Sequence, residues 1–178
     1  MSVTIRCYDR AVVRFFAALG APVGSKIIKD YSLPTCFSRT NAELRKAFFD
    51  GLLASEVSIP RFEKSVYKTD YFKNFSMSLS KAEFLENEHI RFMNSVKTYL
   101  KRHRIKSTKA IRKDIYREEP RKDGHYSNGY RIFFSASVEN VKRFNRIFPL
   151  RYAKAKKEKL EEEIKKATGE KPWHTLPG

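Results

Sequence analysis

Two spacings of apolar residues recur along the chain. Leu44, Ala47, Phe48, Gly51, Leu52 and Ser55 fall in steps of three and four, the mark of one helical face. In "NFSMSLS", residues 74–80, Phe75, Met77 and Leu79 alternate with Asn74, Ser76 and Ser78, the two-residue period of a strand with one buried face. Carried along the chain, these patterns predict a short strand in "VTIRCY" and a helix in "DRAVVRFFAALG", with Asp9 as N-cap and Gly20 as stop. A basic, turn-rich segment, "APVGSKIIKDYSLP", follows.

Thr40-Asn41-Ala42-Glu43 reads as a capping box opening the 44–55 helix, which should end near Ser55 or Glu56. "VSIPRFEKSVY" and residues 74–80 form the first predicted strand pair, joined by "YKTDYFK". Ser80-Lys81-Ala82-Glu83 reads as a second capping box, opening a helix to about Arg102 with Phe84, Leu85, Ile90, Phe92, Met93, Val96 and Leu100 on its apolar side. "AIRKDIYREE" and "GYRIFFSAS" form a second strand pair across the tip "PRKDGHYSNG". "VENVKRFNRIF", a break at Pro149 and the charged helix "AKAKKEKLEEEIKKA" complete the chain. The order α, β, β, α, β, β, α, α predicts an α+β fold with a curved antiparallel sheet, without βαβ alternation or a Gly-rich phosphate loop. One domain is expected over 1–168, with an N-terminal extension (1–39), a core (40–168) and a flexible tail (169–178).

Charge narrows the partners. Thirty-seven Lys and Arg face 20 Asp and Glu, a net charge of +17, which points to a polyanion. Residues 97–122 concentrate it, with eleven basic residues against three acids. No apolar run reaches membrane-span length and the N-terminus lacks a secretory pattern, so no membrane partner and a cytoplasmic, nucleoid-associated location are expected. Cys7 and Cys36 have no disulfide or zinc spacing and read as buried thiols. The four histidines show no metal spacing either.

Two hairpins with a polar, basic outer face could lie in a DNA major groove, with Asn74, Ser76, Ser78, Arg112, Asp114, Tyr116, Glu118 and Arg131 as base readers and Arg61 and Lys64 as further DNA contacts. Gly51 and Ser55, one turn apart, would let a second helix approach closely, making Phe48, Gly51, Leu52 and Ser55 a dimer seam. A two-fold axis there would bring two Glu56 carboxylates together, a place for divalent metal.

"FDGLLASEV", residues 49–57, resembles the signature of the LAGLIDADG homing endonucleases. It keeps the Gly at Gly51, the small residue at Ser55 and the terminal acid as Glu56, while Ala54 stands for the first Asp and Val57 for the final Gly. The αββαββα order, "LSK" before the second core helix, "YRIFFSASVENVKRFNRIF" before a Lys-rich helix and "LGAPVGSK…LP" are also similar to the family, the last to its archaeal members. The resemblance covers roughly residues 10–165. It implies a homodimeric enzyme cleaving double-stranded DNA at a long, partly palindromic site with Mg²⁺ or Mn²⁺. Glu56 and the Ser55 carbonyl would be metal ligands, and Lys81 and Lys154 would stand at the scissile phosphate. Two alternatives share the scaffold: a maturase binding intron RNA, and a DNA-binding protein without cleavage.

Overall fold

The computed structural model describes residues 10–18, 25–30, 32–34, 36–64, 70–115, 120 and 124–169. Among them are five α-helices, α1 (Arg10–Ala18), α2 (Ala42–Glu56), α3 (Glu86–Arg102), α4 (Val138–Ile147) and α5 (Lys154–Thr168). The strands are β1 (Val57–Ser58), β2 (Arg61–Glu63), β3 (Tyr71–Lys73), β4 (Ser76–Ala82), β5 (Arg112–Ile115) and β6 (Ser127–Phe133). The fold is α+β with an antiparallel sheet, in the order β1-β4-β6-β5. The predicted strand at 3–8, Cys7, Tyr116, Glu118 and residues 170–178 lie outside the described residues.

The sheet has two unlike faces because its register pairs like with like. Met77 stands opposite Ile132 and Leu79 opposite Tyr130, and this face packs under α2 and α3. Phe49 and Leu53 of α2 and Met93, Val96 and Leu100 of α3 complete a core with essentially no solvent contact. Phe49 stacks on Tyr99 with ring centroids 3.8 Å apart, locking the two helices. On the other face Ser78 stands opposite Arg131, and Arg131 opposite Arg112.

Several predicted boundaries move, each for a local reason. The 57–67 strand is broken: Pro60 follows β1, and Asn74, at φ 61°, marks the break on the facing chain. Proline supplies no ladder donor, and asparagine tolerates left-handed backbone better than most residues. Beyond the break, β2 pairs with β3, so "YFK" is a strand rather than a connector. Neither predicted capping box forms. Asn41, not Thr40, caps α2, accepting from Leu44 N at 2.8 Å, while the Thr40 hydroxyl donates to the Phe37 carbonyl. Ser80 stays in β4, whose ladder with β6 runs to Ala82; α3 then starts at Glu86 after a 3₁₀ turn. Cys36, expected to be buried, is a half-buried free thiol.

Candidate functional site

The site is centred where α2 runs into β1. One side of α2 presents Phe49, Asp50, Leu53 and Ala54 to the core, and the other carries Phe48, Gly51 and Leu52, all half-buried, with Leu44 and Ser55 exposed. The predicted seam residues lie on one side of α2, where Phe48 and Leu52 also pack against the edge of the core. Within this chain Gly51 already has a neighbour: a Cβ there would meet the Tyr152 ring at 3.8 Å, and Tyr152 itself is 70% exposed.

Glu56 ends the helix, half-buried, and pairs with Lys26 at 2.7 Å. From α5, Lys156 donates to the Ser55 carbonyl at 3.0 Å and the Val57 carbonyl at 2.8 Å. Burial holds the Lys156 ammonium below the usual lysine range, and the Glu56 carboxylate works against that shift. Cations are favoured at a helix C-terminus, where carbonyls lack intrahelical partners. Lys154, predicted for this place, is 89% exposed and pairs with Glu158 at 3.8 Å; the α5 lysine that reaches the end of α2 is Lys156.

Asp50 explains how α5 is aimed. Fully buried in α2, it accepts from Leu150 N at 2.8 Å and Arg151 N at 3.1 Å, with Arg151 Nε at 3.5 Å. These bonds hold the α4–α5 turn, in which Leu150 takes φ 50°, a conformation rare for a bulky residue. The sequence reading passed over Asp50; a carboxylate on the core face of a helix was the signal available.

Lys81 sits on the helix side of the sheet, 1% exposed, opposite Asn128. Its Nζ donates to the Lys26 carbonyl at 2.6 Å and to the Lys29 carbonyl. Burial pushes this ammonium down to about 8, with Asp30 opposing the shift and Lys26 adding to it. Lys26 thus links two predicted residues, meeting Lys81 through its carbonyl and Glu56 through its side chain. Close by, His89 is buried against the Tyr130 and Phe92 rings, and burial, reinforced by Lys81, pushes it down to about 4.

The predicted readers Ser76, Ser78, Arg112, Asp114 and Arg131 share the outer face of the sheet. Asp114 joins two of them, 2.8 Å from Arg112 Nε and 3.4 Å from Arg131 Nη2, and Arg131 also lies over the Phe133 ring. Ser76 is buried, its N–H donating to Ser58 Oγ at 3.2 Å. Ser58, missed in the sequence, belongs to this face as the residue after inward-facing Val57. Asn74 lies just outside β4 and is exposed, as are Arg61 and Lys64 on the β2–β3 side.

A carboxylate and a main-chain carbonyl are hard oxygen donors, chemically suited to Mg²⁺. Among the described residues no group of three or more His, Cys, Asp or Glu comes together, and the Glu56 carboxylate and Ser55 carbonyl are engaged by the Lys26 and Lys156 ammonium groups. No helix among the described residues is long and apolar enough to cross a membrane.

Fold and site together define an α+β protein with a basic outer sheet face and a lone acid at the root of that sheet. No family model matches the chain, and no solved structure does. The chain is 25% identical over 143 residues to a protein named tRNA-splicing ligase RtcB from Methanopyrus kandleri, a match covering 80% of this chain and 13% of that protein.

Proposed function

We propose that this chain is a homodimeric, metal-dependent DNA endonuclease of the LAGLIDADG homing type, cutting both strands at a long, partly palindromic site. The observation that carries this reading is the junction of α2 and β1, where a stripe of small and apolar residues ends on Glu56 at the edge of a sheet with a basic outer face. Packed α2 against α2, two copies bring their Glu56 residues together and join their sheets into one long DNA-binding surface.

On that surface Arg112 and Arg131 offer guanidinium donors to base edges and phosphates. The Glu56 carboxylate and Ser55 carbonyl would hold Mg²⁺, which when bound activates water and stabilises charge on the phosphoryl oxygens. Lys26 and Lys156 place two ammonium groups at the same corner, where they attract the phosphate. Lys81 acts as a positioning residue, fixing the 26–29 segment that carries Lys26.

The test is cleavage of duplex DNA bearing the insertion site in Mg²⁺, with the size of the purified chain measured by sedimentation. Cleavage that persists in Glu56→Gln, or a strict monomer that cuts both strands, overturns the proposal. One observation favours a second reading, an RNA-binding splicing factor: the relative is named for tRNA splicing. The aligned stretch is 13% of that protein, so ligation is not carried over. Binding of intron RNA by a chain that leaves cognate duplex intact would select this alternative.

A further inference from the structure

We infer that the outer side of α3 carries a second nucleic-acid site, a cleft of about 840 Å³ that holds a phosphodiester backbone apart from the one on the sheet. Helix periodicity separates the two surfaces. Phe92, Met93, Val96 and Leu100 of α3 are buried in the core, while Lys97 and Lys101 line the cleft. Arg104, Lys106 and Lys109 from the following loop and Arg143 from α4 complete a row of six cations, with no carboxylate in the lining.

Charge pairing and rigidity both argue for a built site. Among the described residues, Arg143 has an ion-pair partner, Glu139 at 2.5 Å, and the other five have none. Like charges gathered without counter-charges repel one another, a cost that an anionic ligand relieves. The loop is also fixed. Buried Asn140 accepts from Lys106 N at 2.8 Å and donates to the Lys106 carbonyl at 3.1 Å and the Ser135 carbonyl at 3.0 Å. Arg143 donates to the Arg104 carbonyl at 3.1 Å, and Lys97 to the Lys109 carbonyl. The main chain of this loop and the Lys97 and Arg143 side chains are therefore fixed before a ligand arrives, while Lys101, Lys106 and Lys109 project from that fixed path into solvent. A row of cations on a fixed path matches the repeating charge of a nucleic-acid backbone, which both DNA and RNA supply.

The site does not depend on cleavage, so its test uses binding alone. In the full chain, Lys101→Gln, Lys106→Gln and Lys109→Gln are combined; all three side chains are exposed. Anisotropy titrations use random-sequence duplexes of about 16 base pairs, one DNA and one RNA, over a range of KCl. The expected result is at least a roughly tenfold loss of affinity at low salt and a salt slope shallower by about 2 to 3, from about 0.9 per lost phosphate contact. Arg112→Gln with Arg131→Gln, on the sheet, should leave that component in place. A loss confined to one probe assigns the site to DNA or to RNA. The inference fails if the triple variant, with an unchanged urea midpoint, keeps the parent's affinity and slope on both probes. It fails equally if the matching Lys→Arg triple loses binding, since the charge would then be intact.

Discussion

The outer face of the sheet and the cleft beside α3 are both basic, yet they manage their charge in opposite ways. On the sheet, Asp114 lies between Arg112 and Arg131 and is 17% exposed, so each guanidinium is oriented and partly neutralised. In the cleft, five of six cations meet no carboxylate among the described residues and are backed by main-chain carbonyls or solvent. The first arrangement gives up attraction for direction, which suits base readout; the second keeps attraction and gains little direction, which suits backbone contact.

The largest effect expected is on chemistry alone. Glu56→Gln should lower cognate cleavage by on the order of 10²–10³-fold, with binding at both basic surfaces unchanged in anisotropy. A parallel loss of binding would mean that Glu56 organises the surface rather than the reaction.

Removing the buried clamp separates the two regions structurally. Asp50→Ala leaves the Leu150 and Arg151 amides without their acceptor and should cost about 3 kcal/mol in urea unfolding. The damage should show in hydrogen exchange around α5 and Lys156 while the 104–109 loop, held by Asn140, keeps its protection.

Acid should act through the layer beneath the sheet. His89 falls from about 6.5 when unfolded to about 4 when folded, so its stabilising contribution is complete above pH 6.5 and is lost as pH falls toward 4. That contribution is about 3 kcal/mol, and His89→Phe should flatten this part of the stability profile. Lys81 acts in a separate window: burial brings it from about 10.5 when unfolded to about 8 when folded, so rising pH between the two relieves the cost of burying its charge.

Smaller effects bear on readout. Arg131→Gln should reduce discrimination between cognate and altered sites by about 1–3 kcal/mol, measured by competition binding. Asp114→Asn should make the sheet resemble the cleft. Random-sequence affinity should rise a few-fold with a steeper salt slope, and selectivity should drop; unchanged selectivity would break the contrast drawn between the two surfaces.

How much was legible in the sequence follows from the range over which each feature is decided. The alternation in 74–80 reports a single local face, and Met77 and Leu79 are buried accordingly, whereas the periodicity of 44–55 marks the half-buried side of Phe48, Gly51 and Leu52 and leaves unmarked the side on which Phe49 and Leu53 enter the core. Long-range choices were hidden. Nothing near Asp50 shows that its partners are about 100 positions later. Lys154 and Lys156 are equally plausible by composition, but two positions on a helix are about 200° apart, and the docking of α5 decides which reaches α2. The capping boxes failed because a better local cap, Asn41, and a longer ladder, β4 with β6, satisfied the same backbone groups first.

The contact of Tyr152 with Gly51 bears on how two molecules would meet. In a solitary chain the glycine lies beside an aromatic ring from its own α4–α5 turn, so a helix arriving as proposed would have to swing that phenol outward before backbones could touch. In the proposed dimer, association would begin with a side-chain rotation, and the ring's proton resonances should report the encounter before any larger rearrangement does.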